Sequence, residues 1–496
     1  MAEQSNQSKM IRGISSQTLV TIVLGIVEIV SFSIMSRLLT KQDFGYFAAI
    51  TAVVTVFSCF SETGIGAAII QRKIINKRYI DNAFTLSLLF GLFASISLLI
   101  FAGPIAVLIT DESMSVPLRL MSVTLLFGCI TSINFSIMYR RLQFLRVGII
   151  QLFSLIVTSI VAIILAIKGY GYYAIITRAL LSSVLTLIIS FIFAKTKYGL
   201  ALDKQTFKQI FGFSGWLMAS GLFRNLAHDI DKLVMSRLLS VASLGAYNRP
   251  KDLIGQISSK LNGIFDTALF PVLSGIQDDK AKMKTAFLKS FYFMNIFAML
   301  ITLTLALNSE LFIRVFFGEQ WMDLKLVAII LSFLMLFNID GRLADCFMRS
   351  LAMTRQQFYF RILETIITLA GVIIGSKWDI VGVALGVVIT NSFLKLFKIA
   401  YISYKMELSL KHVVAEILSS WQFILFMLPL TLAAVVALPN TLVGNLVLLV
   451  WYVILSLLVF LMFPSVVGSR YKETAYKNIK SNLLRQISKF KQNNQK

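Results

Sequence analysis

The sequence predicts an all-α polytopic membrane protein: about fourteen transmembrane helices, arranged as two six-helix repeats forming N- and C-lobes around a central cavity, plus two extra helices. Three observations predict it. The chain is 57% hydrophobic and only 14% charged, with a mean hydropathy of +0.80, whereas a soluble domain carries roughly 25% charge. Apolar stretches long enough for a ~30 Å hydrocarbon core recur from end to end. The chain also repeats itself: Met35-Ser36-Arg37-Leu38-Leu39 returns as Met235-Ser236-Arg237-Leu238-Leu239, with Gly45 answered by Gly245, Phe44 by Leu244 and Thr40 by Ser240. A membrane chain that repeats its own half commonly builds two lobes about a cavity.

The apolar segments lie near 13–37, 43–70, 81–110, 115–137, 149–167, 170–194, 212–238, 247–272, 284–307, 324–349, 357–375, 380–403, 418–438 and 443–463. The repeat continues past its first match. Glu62-Thr63 resembles Asp266-Thr267, Met138-Tyr139-Arg140 resembles Phe347-Met348-Arg349, and Ile176-Thr177-Arg178 resembles Ile389-Thr390-Asn391. The expected divisions are therefore 1–200 (N-lobe, segments 1–6), 201–412 (C-lobe, segments 7–12), 413–465 (segments 13 and 14) and a basic tail, 466–496. In the tail, Ile479, Leu483, Ile487 and Phe490 recur at helical spacing among Lys and Arg, which predicts an amphipathic helix on anionic lipid. Phe207, Ile210 and Phe211 predict a shorter one.

A net charge of +23 invites nucleic acid as a partner, but its distribution points to membrane orientation instead. With the amino terminus inside, alternate loops hold Arg72, Lys73, Lys77 and Arg78; Arg140, Arg141 and Arg146; and Lys195, Lys197, Lys204 and Lys208. The second half continues with Lys280, Lys282, Lys284 and Lys289; Arg349, Arg355 and Arg361; and Lys395, Lys398, Lys405 and Lys411. With both ends added, about 32 positives fall on that side, against about eight opposite: Lys41, Arg119, Lys168, Arg249, Lys251, Arg314, Lys325 and Lys377. The excess predicts both termini in the cytoplasm. The run from Ile14 to Met35 is too long for a signal peptide and reads as a retained first helix. Cys59, Cys129 and Cys346 lack metal spacing, and only two histidines are present, His228 and His412, so no metal site is expected.

The informative residues are those that break the apolar rule. Charge at mid-bilayer costs at least ~2.5–3.5 kcal/mol per group and needs a partner or water. In the seventh segment, Arg224, Asn225, His228, Asp229, Asp231 and Lys232 fall within nine residues and share an arc of about 160°. In the first, Gln17, Thr21, Glu28 and Ser31 share a face, and Glu28 is in repeat register with His228. The simplest account is a cavity lined by both stripes. Asp229 is also spaced to pair with Lys232, and Asp231 to reach another basic group, so mutual neutralisation is the alternative. Arg342 and Asp345 are spaced for an internal pair. Arg37 and Arg237 sit near segment ends, where snorkelling is cheap; their symmetric recurrence favours flanking an outward opening.

Arg and Lys in a partly hydrated chamber attract phosphate, to whose oxygens Arg offers forked donors. The predicted anion-binding set is Arg224, Lys232, Arg37, Arg237, Lys260 and Arg178. Glu28, His228, Asp229, Asp231, Glu62, Asp266 and Asn225 form the polar or ion-coupling set, with H+ or Na+ as the coupling ion and no other cofactor. Lys232→Ala or Arg224→Ala is expected to impair transport while leaving membrane insertion intact.

A set of short motifs resembles the Wzx and WzxC-type flippases of the multidrug/oligosaccharidyl-lipid/polysaccharide exporter superfamily. These are Asp43-Phe44-Gly45-Tyr46, Gly64-Ile65-Gly66-Ala67-Ala68-Ile69-Ile70-Gln71-Arg72, Arg141-Leu142-Gln143-Phe144 and Gly169-Tyr170-Gly171-Tyr172-Tyr173-Ala174. Asp231 leading into Leu244-Gly245-Ala246-Tyr247, then Phe270-Pro271-Val272-Leu273-Ser274 and Phe317-Gly318-Glu319-Gln320-Trp321, complete it. Their order and spacing carry the likeness. Tyr173 departs from it, standing where Trp is usual. The resemblance implies a two-lobed carrier in the bacterial inner membrane that moves undecaprenyl-diphosphate-linked oligosaccharide repeat units outward, beside a polysaccharide polymerase. It also implies a cavity role for Asp231. The roles of Arg224, His228 and Asp229 rest on the helical arc alone. A cation-coupled multidrug antiporter is the transport alternative, though it prefers an acidic, aromatic pocket. A membrane glycan polymerase or ligase needs a large outward loop with acid/base residues; the largest here, 307–324, is short.

Overall fold

In the computed structural model, the described residues are 2–60, 65–72, 75–264 and 269–415, and all regular structure among them is helical. The helices are α1 (Ala2–Leu38), α2 (Lys41–Phe57), α3 (Ile65–Gln71), α4 (Lys77–Ile109) and α5 (Ser115–Arg140). Next come α6 (Phe144–Ile167), α7 (Tyr172–Ala194), α8 (Lys204–Leu238), α9 (Val241–Ile264) and α10 (Phe270–Gly275). The last five are α11 (Lys280–Leu307), α12 (Ser309–Phe312), α13 (Lys325–Ser350), α14 (Thr354–Gly375) and α15 (Asp379–Lys405). Helix occupies each of the first twelve apolar segments. Segments 13 and 14 and the amphipathic tail lie outside the described residues, as do the side chains of Gln17, Phe207, Ile210 and Phe211.

Seven stretches among the described residues are long and apolar enough to cross a membrane, the last of them, Arg355–Lys405, holding both α14 and α15. The charged α8 and α9 are absent from this set.

Local chemistry explains where helices start and stop. Thr40 caps α2: its hydroxyl accepts from the Asp43 N–H at 3.2 Å, while the Asp43 carboxylate accepts from the Thr40 N–H at 2.9 Å. Such a box is worth about 1 kcal/mol. Asn76 caps α4 through a single bond, its side chain accepting from the Tyr79 N–H at 2.9 Å, and Asp279 caps α11. After α5 the chain reverses through Leu142 at φ 55, and after α13 through Ala352 at φ 57. In both turns the following amide reaches back five residues: Gln143 to the Met138 carbonyl at 2.9 Å and Met353 to Met348 at 2.8 Å. The sequence repeat therefore extends to its turns.

Contacts divide the chain into two compact units. Of the described residues, unit 1 holds those within 2–256, 316–327 and 358–390, and unit 2 those within 257–315, 328–357 and 391–415. Within unit 1, α1 packs on α6, α6 on α7, α7 on α5 and α5 on α4, and α8 lies along α2 and touches α4. The segment after α7 is strapped down: the Gly199 N–H donates to Asp81 at 2.8 Å, and the Asp203 N–H to Asn82 at 2.6 Å. The Tyr198 hydroxyl donates to Asn134, and burial pushes it up to about 12. Also in unit 1, α14 and α15 cross at paired glycines, Gly371 against Gly386 and Gly375 against Gly382; a Cβ on Gly375 would sit 2.3 Å from the Gly382 carbonyl oxygen. Small residues four apart on both helices permit this approach in lipid. Within unit 2, the Lys398 ammonium donates to Asp345 at 2.8 Å, both groups buried.

Several residues counted as loop charges lie inside helices, among them four far from a helix end. Arg249 and Lys251, read as loop residues, lie inside α9. Lys395 and Lys398, counted as cytoplasmic, lie inside α15 and are buried. The helix begins at Val241, six residues before the apolar segment at 247–272, and Pro250 lies inside it.

Candidate functional site

The candidate site lies in unit 1, where the repeated segments of the two halves meet. Ser240 starts α9 as Thr40 starts α2: its hydroxyl accepts from the Ser243 N–H at 3.0 Å. The two helices then cross at the repeated glycines. A Cβ on Gly245 would fall 1.8 Å from the Lys41 carbonyl oxygen, and one on Gly45 would fall 1.8 Å from that of Val241. Lys41 and Val241 are themselves repeat equivalents, so this contact has two-fold character.

The motifs scattered through the sequence converge around that crossing. Asp43 also accepts from the Tyr172 N–H at 2.8 Å, capping α7, where Gly171 adopts φ 54. Trp321 Nε1 donates to the Ser36 carbonyl at 2.9 Å, and Gln320 donates to the same oxygen at 2.6 Å. Lys41 pairs with Asp323 at 2.6 Å. Arg249 reaches from α9 to α1 and α2, its guanidinium stacked 3.7 Å from the Phe32 ring centroid and 3.3 Å from that of Phe44. Its Nη2 donates to the Ser36 hydroxyl at 2.7 Å. A desolvated cation–π contact is worth about 2 kcal/mol.

Beside this clamp, α8 and α9 share a polar seam. Asp229 is buried and holds the Lys232 ammonium at 3.0 Å and the His228 ring at 2.9 Å. Lys232 also approaches Asp252 at 3.7 Å, and Asn248 donates to Asp252 at 2.7 Å. Asp231, equally buried, accepts from the Tyr247 hydroxyl and pairs with Lys251. Asn225 turns the other way and donates to the Thr55 carbonyl of α2 at 3.0 Å. Three carboxylates thus face Lys232, Lys251 and Arg249, the last within the field of Asp252. Internal balance is what burial demands, since removing one partner of a buried pair costs about 3–5 kcal/mol.

The sequence-predicted site residues separate into three groups. Asn225, Asp229, Asp231 and Lys232 come together in or beside the seam. Arg224 and His228, one helical turn apart on α8, are exposed along its edge. Elsewhere, Arg37 and Arg237 are exposed at the ends of α1 and α8, and Arg178 in α7 lies within the field of Glu28 in α1. The Arg37 side chain packs along Gly318. Glu62, Asp266 and the side chain of Lys260 lie outside the described residues.

Lys232 differs from its expected place in an anion-binding set: two carboxylates already hold it, because α9 lies against this face of α8. Sequence reasoning named Tyr247 and Lys251 but not their place in the seam, and it missed Asn248 and Asp252. The spacing of the four, two adjacent pairs one turn apart, is a helical stripe already inside the segment at 247–272.

Residues 34–326 match the family described as Polysaccharide biosynthesis protein. The chain is 24% identical over 400 residues to the Lipopolysaccharide biosynthesis protein WzxC of Escherichia coli (strain K12), covering 79% of this chain and 81% of that one. It is 23% identical over 300 residues to the Succinoglycan biosynthesis transport protein ExoT of Rhizobium meliloti (strain 1021), covering 59% and 60%. Among solved structures it is similar to the Lipid II flippase MurJ in an inward closed conformation, with TM-score 0.68, 15% identity, and coverage of 90% of this chain and 98% of that one. An inward-facing multidrug resistance MATE family transporter of the MOP superfamily gives TM-score 0.59 at 13% identity, covering 79% and 98%. These two likenesses establish the fold. With a family match spanning more than half its length, the chain belongs to the polysaccharide biosynthesis protein family, and its described residues form an all-helical, multi-span membrane fold.

Proposed function

We propose that this protein is a flippase that carries a lipid-linked oligosaccharide, an undecaprenyl-diphosphate-bound repeat unit, across the bacterial inner membrane by alternating access. In this reading both termini lie in the cytoplasm, about fourteen helices span the bilayer, and the glycan serves surface polysaccharide, O-antigen or exopolysaccharide assembly. The observation that carries this reading is α8. Its buried polar residues neutralise one another against α2 and α9, leaving Arg224 and His228 exposed along one edge. A phosphate-bearing head group is the ligand suited to that edge, with Arg supplying forked donors. Arg37, Arg237 and Arg178 add positive field, and Lys232 acts as a brace for Asp229 rather than as a phosphate ligand.

The test is a depletion strain. Loss of the protein strands glycan-charged carrier lipid in the inner leaflet, and extraction of that lipid identifies the head group. Normal display of the glycan in cells lacking the protein and any paralogue rejects the assignment. A cation-coupled drug antiporter is the second reading, supported by the buried acids of the seam; unchanged drug susceptibility of the deletion strain argues against it.

A further inference from the structure

The stretch joining α7 to α8 in unit 1 is held in a defined path. Lys195 adopts the left-handed conformation, φ 47 and ψ 38, and ends α7. Arg141 secures the turn by donating to the Ala194 carbonyl at 2.6 Å. The chain then runs without helix along the first turns of α4, the Tyr198 and Phe84 ring centroids lying 4.3 Å apart. Three of its amides, at alternate residues, are taken by α4 side chains: Gly199 by Asp81 at 2.8 Å, Ala201 by Thr85 at 3.0 Å and Asp203 by Asn82 at 2.6 Å. Alternation of this kind, as along a strand, turns the intervening side chains outward. Leu200 is 76% exposed and Leu202 64%, and Lys195, Lys197 and Lys204 are exposed as well.

The anchors also fix how deep each residue lies. Lys77 opens α4, one of the candidate spans. Asp81, Asn82 and Thr85 follow it by four, five and eight residues, hence by about 6, 7.5 and 12 Å along the helix axis. The connection therefore descends along α4 from Gly199, reaches its lowest point at Ala201 and climbs back by Asp203. Leu200 and Leu202 flank that lowest point, beside the apolar run that begins at 81. The lysines stand at the two ends instead, and among the described residues none of the three has an ion-pair partner. An apolar apex between cationic rims matches the order in which a leaflet presents acyl chains and then head groups.

We propose that residues 195–204 form a lipid-binding wedge. Leu200 and Leu202 enter the acyl layer of the leaflet at this end of unit 1, and Lys195, Lys197 and Lys204 hold the phosphates of anionic phospholipid around them. Because α4 side chains already fix the backbone, the wedge loses little entropy on docking. The inference is independent of the glycan-transport reading.

The test uses the full chain in proteoliposomes of equal parts phosphatidylcholine and phosphatidylglycerol. An environment-sensitive fluorophore is placed on Leu200→Cys or, for comparison, on Lys197→Cys. The native Cys59, Cys129 and Cys346 are buried, so labelling is confined to the new thiol. The expected result at 200 is quenching by nitroxide on the acyl chains and protection from aqueous iodide, with the reverse at 197. Nitroxide carried on phosphatidylglycerol quenches the probe at 200 more than the same group on phosphatidylcholine. Combining Lys195→Gln, Lys197→Gln and Lys204→Gln erases that preference, by roughly fivefold per lysine. Where the triple variant fails to accumulate, high salt lowers the preference in its place. Equal quenching by the two lipids, or free access of iodide to 200, overturns the proposal. So does a probe shielded from both iodide and nitroxide, which would place a second copy of the chain there.

Discussion

The crossing of α2 and α9 gives the most quantitative prediction. Replacing Gly245 by Ala sets a methyl group 1.8 Å from the Lys41 carbonyl oxygen and 2.6 Å from the Gly45 nitrogen. Ordinary carbon–oxygen contact is about 3.5 Å, so the backbones must part by roughly 1.5 Å. The obstacle is main chain, which cannot rotate out of the way as a side chain does. Overpacking costs typically 1–3 kcal/mol, and the upper end applies here. About 3 kcal/mol is roughly a hundredfold in the folded population. Gly45→Ala meets the Val241 carbonyl in the same way and carries a similar cost. Because one separation of the helices relieves both clashes, the double variant costs clearly less than the sum, and that shortfall is the signature of a shared contact. Thermal unfolding of the purified protein, with surface glycan display as a second readout, measures all three variants. Strict additivity, or a Gly245→Ala protein as stable as wild type, refutes the close crossing.

Two further outcomes follow from the seam and the turns. Arg224→Ala reduces glycan display with wild-type abundance in the membrane, whereas Lys232→Ala lowers abundance as well, because it strands Asp229 and Asp252; quantitative blotting beside glycan staining separates them. Asp379 adopts φ 56, ψ −157 at the start of α15, much as Gly171 adopts φ 54, ψ −137 at the start of α7. Since that region belongs to glycine and costs other residues about 1–3 kcal/mol, Asp379→Gly raises the unfolding temperature without affecting display.

Much of this architecture is legible in the sequence because membranes impose a simple rule. Backbone polar groups must be satisfied within each spanning helix, so apolar runs mark helices, and helix occupies the first twelve runs. The repeated glycines were visible as Gly45 and Gly245, but not that they touch, since sequence identity says nothing about partner choice. On α8 the polar arc was visible because it lies within nine residues. Its partners on α9 were not, because Asp231 and Lys251 are twenty residues apart across a helix reversal.

The stacking of Arg249 between Phe32 and Phe44 bears on how this molecule changes state. A guanidinium stays protonated at any physiological pH, so the clamp cannot be loosened by titration. Any rearrangement that draws α9 away from α1 and α2 must surrender two ring faces and the Ser36 hydroxyl together, then rehouse a permanent positive charge. Such a contact has no half-released form. Its geometry therefore favours separation in one concerted step over gradual loosening.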